Sequence, residues 1–225
     1  MVLTASLLAL PLAAALPALA DAQPAAPTAA QTPSVQPPRI LVVGDSLSAE
    51  YGIRRGSGWV NLLQQRIQAA GWPHEIHNSS VSGDTSSAGA SRLPAALLRH
   101  TPDIVILALG SNDALRGLPL DMTQANLGGM IQRSQESGAR VLLAGMRMPP
   151  NYGRAYAEAF HALFQTLAHT HNTALLPFLL EGVATRPGLF QADRLHPTED
   201  AQPLIADNVW PVLLTLLAAP QQQRQ

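Results

Sequence analysis

Four short segments hold residues whose types could do covalent chemistry: Gly44-Asp45-Ser46-Leu47-Ser48, Ser82-Gly83-Asp84-Thr85, Gly110-Ser111-Asn112-Asp113 and Asp193-Arg194-Leu195-His196-Pro197. A serine hydroxyl is a weak nucleophile until a base takes its proton, and a histidine base needs a third group to hold its tautomer. Ser46 can supply the nucleophile, His196 the base and Asp193 the orienting carboxylate. A three-residue separation on one loop lets the carboxylate reach Nδ1 of the same imidazole, where it also stabilises the imidazolium formed during attack. Attack on a carbonyl creates an oxyanion, which needs donors already aimed at it. The backbone N–H groups of Ser46 and Gly83 and the side-chain amide of Asn112 are suited to that task, and Gly83 brings its N–H close because it has no side chain.

Plainer roles exist for each residue. Ser46 could be a helix N-cap, Asp193 an Asx-type turn former, His196 a helix-start residue before Pro197, and Asn112 and Gly83 turn residues. It is the joint presence of all four segments that favours chemistry. Asp45, Asp84 and Asp113 are read as structural carboxylates that accept backbone N–H groups and tie their loops down. His169 and His171 form an H-x-H pair without a third ligand nearby in sequence, which fits a solvated helix end better than a metal site. His74, His77, His100 and His161 read as surface or half-buried residues.

Composition narrows the chemistry further. All 14 basic residues are Arg, and the chain has neither Lys nor Cys. Schiff-base chemistry, a Ser-Lys dyad, a P-loop lysine, a thiol nucleophile, disulfides and thiolate metal sites are thereby excluded. A formal net charge of −1 provides no basic field for nucleic acid. A 47% hydrophobic content over 225 residues suffices for a sizeable core.

Apolar runs that could position these segments alternate with helical periodicity. Strands are expected at Arg39–Val43, His74–Val81, Asp103–Leu109, Arg140–Met146 and Ala174–Leu180. Helices are expected at Gly58–Ala70, Leu93–Leu98, Met122–Ser137, Tyr152–His169 and Thr198–Leu217, with Pro203 and Pro211 at a first turn or a kink. One βα unit per 30 to 40 residues indicates an α/β fold, a parallel sheet covered on both faces. In such sheets sites form beyond the carboxyl ends of strands, where strand order reverses. The chemical segments fall just after predicted strands or near the C-terminus, so one rim would gather them. A G-x-S-x-G elbow and a G-x-G-x-x-G fingerprint are both missing, which argues against an α/β-hydrolase elbow and a dinucleotide site.

The four segments resemble the four blocks of the SGNH, or GDSL-type, hydrolase superfamily. The likeness extends through GDSLSAEYGI, SVSGDTSSAGASRLPAALL, LALGSNDALRGLP, MPPNYGRAYAEAF, LLPFLLEGV and DRLHPTEDAQPLIADNVW, and is nearest to the bacterial periplasmic thioesterases and lysophospholipases of that superfamily. It implies a three-layer α/β/α sandwich with a five-stranded parallel sheet, a triad of Ser46, Asp193 and His196, and an oxyanion hole from Ser46, Gly83 and Asn112. It also implies a serine esterase acting on fatty acyl esters, thioesters, lysophospholipids and aryl esters without cofactor or metal. Leu115, Leu118, Met148 and Pro149 are the candidate walls of an apolar acyl groove. Ser111 and Ala114 stand where close relatives often carry Gly, so the Asn112–Leu118 loop, expected to move when an acyl chain binds, has a less free backbone. The rival activities are a carbohydrate O-acetyl esterase and a non-catalytic lipid- or polysaccharide-binding module on the same fold.

Residues Val2–Ala20 carry no charge and end in Ala18-Leu19-Ala20, the form of a signal-peptidase site, although Met1–Ser6 contains no Lys or Arg. Pro11 and Pro17 favour a short cleaved leader over an uncleaved anchor. The expected organisation is a signal peptide at 1–20, a Pro/Ala-rich linker at 21–38, a catalytic domain at 39–219 and a tail at 220–225. The protein is expected to be periplasmic or secreted and monomeric, without stable membrane insertion once the leader is removed.

Overall fold

The computed structural model describes residues 36–148 and 150–219; the leader, most of the linker, Pro149 and the tail lie outside the described residues. Five strands form one parallel sheet: β1 (Arg39–Gly44), β2 (Glu75–Asn78), β3 (Ile104–Ala108), β4 (Arg140–Ala144) and β5 (Ala174–Leu176), in the order β2-β1-β3-β4-β5. β1 and β3 are buried along almost their whole length, from Ile40 and Ile104 onward. Continuous Val/Ile/Leu runs are what a strand covered on both faces requires.

Helices α1 (Trp59–Ala69) and α6 (Gln202–Ala218) cover one face of the sheet; α2 (Ser86–His100), α4 (Leu120–Glu136) and α5 (Arg154–Thr170) cover the other. The three-layer α/β/α arrangement expected from the sequence is therefore present. Each helix turns an apolar stripe inward, such as Val60, Leu63 and Ile67 of α1. The span Glu199–Ala218 is long and apolar enough to cross a membrane. It packs instead on the sheet, with Ile205, Val209, Leu213 and Leu217 buried. Pro203 sits in its first turn and Pro211 within it.

Four expectations require correction. The helix read at Leu93–Leu98 runs from Ser86 to His100, because Thr85 caps it by accepting from the Ala88 N–H at 3.3 Å and because its Ser, Gly and Ala residues carry little apolar period. The second strand is only Glu75–Asn78. The run Ala174–Leu180 is strand only to Leu176, since Pro177 removes the next ladder donor. His74 is buried, at 5% exposure, and neither ring nitrogen has a hydrogen-bond partner among the described residues; desolvation lowers its pKa. A short helix, α3 (Ser111–Leu115), was not foreseen from the sequence.

Strand order reverses between β1 and β3. Ser46 follows β1 and Asn112 follows β3, so both lie beside the switch point where α/β sheets place their ligands.

Candidate active site

Ser46 occupies a tight turn after β1, closed by Ser48 and Ala49 N–H groups donating to the Asp45 carbonyl at 3.1 and 3.0 Å. The Trp59 indole N–H, from the buried start of α1, donates to the Leu47 carbonyl at 3.0 Å and fixes the turn to the core. The second group arrives from 150 residues away: His196 Nε2 lies 2.9 Å from Ser46 Oγ. On the far side of the imidazole, Nδ1 lies 2.6 Å from Asp193 Oδ2.

Asp193 and His196 share one turn. Asp193 Oδ1 accepts from the Leu195 and His196 backbone N–H groups at 2.9 and 3.0 Å. Arg194, between them, has φ of 58°, a left-handed conformation that a side chain rarely adopts. Its N–H donates to the Gln191 carbonyl at 2.9 Å, which helps to hold that conformation. The His196 backbone N–H, followed by the ring and the Leu195 N–H, stabilises the carboxylate and pulls the Asp193 pKa down to about 2. An ionised carboxylate is therefore in place to accept the hydrogen bond from Nδ1–H.

Three candidate donors stand on the segments after β1, β2 and β3; Ser46 and Asn112 line the cavity beside the nucleophile, and Gly83 is not among its lining residues. Neither the Ser46 nor the Gly83 backbone N–H donates to any acceptor among the described residues. Gly83 has φ of 84°, so it reaches a conformation that a Cβ would strain. Asn112 opens α3, and its amide donates to the Asp84 carbonyl at 2.9 Å. The same nitrogen also donates to Asp45 Oδ2 at 3.3 Å, the longer of its two bonds.

The neighbouring carboxylates divide. Asp45 is 1% exposed; its Oδ1 accepts from the Leu47 N–H at 3.0 Å, and burial raises its pKa to about 6. Asp113 accepts from the Ser86 N–H at 2.7 Å and from its hydroxyl at 2.5 Å, linking α3 to α2. Asp84 departs from the structural role expected of it: its carboxylate takes the Arg92 guanidinium at 2.6 Å rather than a backbone N–H.

Beside Ser46 and His196 opens a cavity of about 990 Å³. Leu115 and Met148 are among its lining residues. Leu118 is not among the lining residues. Gly117, at φ 63°, turns the chain away after α3, and Leu118 is pinned there by its own N–H to Asp113 and by the Tyr156 hydroxyl on its carbonyl at 2.9 Å. The segment after β5 adds Phe178, Leu180 and Phe190 to the lining. Sequence reasoning missed these residues because Phe178 and Leu180 were assigned to a strand. The Pro177 that ends the strand was the available signal. Among the described residues no group of three or more His, Cys, Asp or Glu could hold a metal ion.

A hydroxyl, imidazole and carboxylate in hydrogen-bonded sequence at the switch point of a parallel sheet define a serine hydrolase. The chain belongs to the GDSL-like lipase/acylhydrolase family, whose profile matches residues 42–202. It is 48% identical over 178 residues to Esterase TesA of Pseudomonas aeruginosa, covering 79% of this chain and 89% of that one. It is 43% identical over 168 residues to the thioesterase 1/protease 1/lysophospholipase of Escherichia coli, covering 75% and 79% respectively. The crystal structure of TesA superposes with a TM-score of 0.78 at 47% identity, covering 79% of this chain and 99% of that one. The resemblance and the fold expected from the sequence are both borne out.

Proposed function

We propose that this protein is a serine esterase that hydrolyses carboxylic esters and thioesters of fatty acids, lysophospholipids and aryl esters through an acyl-enzyme. The observation that carries the reading is the 2.9 Å and 2.6 Å sequence from Ser46 through His196 to Asp193 at the mouth of a largely apolar cavity. Ser46 Oγ attacks the carbonyl carbon while His196 Nε2 takes its proton, and Asp193 holds the imidazolium. The oxyanion lies against the N–H groups of Ser46 and Gly83 and the amide of Asn112. His196 then protonates the departing alcohol or thiol. Water, activated by the same nitrogen, releases the acid and restores Ser46.

The acyl chain enters the cavity lined by Leu115, Met148, Phe178, Leu180 and Phe190. Pro149, the remaining groove residue expected from the sequence, lies outside the described residues. A large, mostly apolar cavity supports acyl chains over the acetyl group of a carbohydrate O-acetyl esterase. The unoccupied donors at Ser46 and Gly83 support catalysis over a purely binding module.

Kinetics with p-nitrophenyl esters of increasing acyl length test the proposal. Ser46→Ala is expected to reduce kcat on the order of 10⁴-fold or more, and the wild type is expected to favour medium chains over acetyl. A Ser46→Ala protein with wild-type turnover would refute the assignment. We further propose that the chain is exported, with cleavage after Ala20. N-terminal sequencing of the exported protein should then begin at Asp21, and a mature chain still beginning at Met1 would contradict it.

A further inference from the structure

Tyr51 carries an aromatic ring that neither the core nor the cavity uses. It is 51% exposed, and it does not line the cavity beside Ser46. Yet its ring lies against that of His196, with centroids 4.3 Å apart and planes inclined by 39°. A half-exposed tyrosine at such a distance needs a backbone that holds it there, and the Tyr51 backbone is firmly held. The preceding residue, Glu50, adopts φ of 59°, and its carboxylate accepts from the Gly56 and Gly58 N–H groups at 2.9 and 2.8 Å and from the Asn61 amide at 2.8 Å. The Gln191 side-chain amide donates to the Tyr51 carbonyl at 2.9 Å, tying this loop to the segment that leads into Asp193 and His196.

The reaction fixes what lies on this side of the imidazole. The acyl chain takes the apolar cavity, and the carbonyl oxygen takes the three donors. The leaving oxygen must sit within reach of His196 Nε2, which gives it a proton. The group attached to that oxygen therefore departs past the ring that covers His196. We infer that Tyr51 is a specificity-determining residue for the leaving group, an aromatic platform on which the planar ring of an aryl ester packs as its C–O bond breaks. The inference rests on the esterase reading and adds to it a selectivity for the alcohol half of the substrate. Nothing is consumed beyond the ester and water: the acyl–oxygen bond breaks, the acyl–Ser46 bond forms, and the Ser46 proton leaves on the aryl alcohol by way of His196.

The test uses two esters of one short acid, an aryl ester and a fluoroalkyl ester, chosen so that their alcohols have equal acidity. Because kcat/KM reports steps up to acylation, it isolates the leaving group. Tyr51→Leu is expected to lower kcat/KM for the aryl ester about three- to tenfold more than for the fluoroalkyl ester, the worth of one aromatic contact. Tyr51→Phe is expected to keep the wild-type ratio, since the hydroxyl is not needed. Tyr51→Gln offers the same comparison should the leucine variant fail to fold. Equal losses on both esters would show that the ring acts only by positioning His196, and no loss would show that it does nothing; either overturns the platform. The esterase reading stands or falls separately, on whether Ser46→Ala silences both substrates.

Discussion

Asp45 sets a charge problem beside the nucleophile. Its carboxylate is buried, and desolvation lifts its pKa from 3.8 to about 6. A carboxyl group whose folded-state pKa is raised favours folding most when protonated in both states, below about pH 3.8. That contribution is lost as pH rises through about 6, and its full size is on the order of a few kcal/mol. Asn mimics the neutral form at every pH. The Tm of the wild type minus that of Asp45→Asn should therefore fall between pH 4 and pH 6 and be level above; a difference that rises over this range would contradict the assignment. Asp193, whose lowered pKa acts in the opposite sense, is present in both proteins and cancels. The principal site residues were legible in the sequence because their chemistry is unusual and their spacing compact, as in the three-residue step from Asp193 to His196. Tyr51 was not legible, because an aromatic residue five positions after Ser46 becomes informative only when its ring is found on His196.

At the scale of elements, the junction between the carboxyl ends of β4 and β5 shapes the cavity wall. The Gly145 N–H donates to the Leu176 carbonyl at 2.7 Å, and its own carbonyl accepts from Leu179 at 2.9 Å. A Cβ on Gly145 would lie 2.4 Å from the Pro177 carbonyl oxygen, which is backbone and cannot swing aside. Gly145→Ala should destabilise the fold by about 1–3 kcal/mol, measured by urea unfolding, and should impair long-chain esters more than short ones, because Phe178 and Leu180 ride on the displaced segment. Strands β1, β3 and β4 were readable from their continuous apolar runs. The start of α2 was not, because Ser86-Ser87-Ala88-Gly89-Ala90 has no apolar stripe to reveal a helix. The end of β5 was misplaced because the apolar residues after Pro177 line a cavity rather than a sheet, and a hydropathy pattern does not distinguish the two surfaces.

For the molecule as a whole, the sheet order β2-β1-β3-β4-β5 brings together residues that the chain keeps far apart. Ser46 rests on the turn after the most deeply packed part of the sheet, whereas Asp193 and His196 rest together on a partly exposed loop that reaches back across the rim. That loop is linked to the turn after β1 by the Gln191 amide on the Tyr51 carbonyl, by the His196 imidazole on the Ser46 hydroxyl and by the Tyr51 ring against His196. The proposed export and acyl selectivity belong to this larger scale, and their support in the sequence is the uncharged apolar run at residues 2–20 and the family likeness.

Because carboxylate and imidazole travel on the same short turn, agitation of that turn leaves their mutual bond intact while parting the imidazole from the hydroxyl. Warming or dilute denaturant should then quench turnover before far-UV ellipticity declines, and cooling or dilution should restore it: a dormant, still-folded enzyme lies between the working state and the unfolded chain.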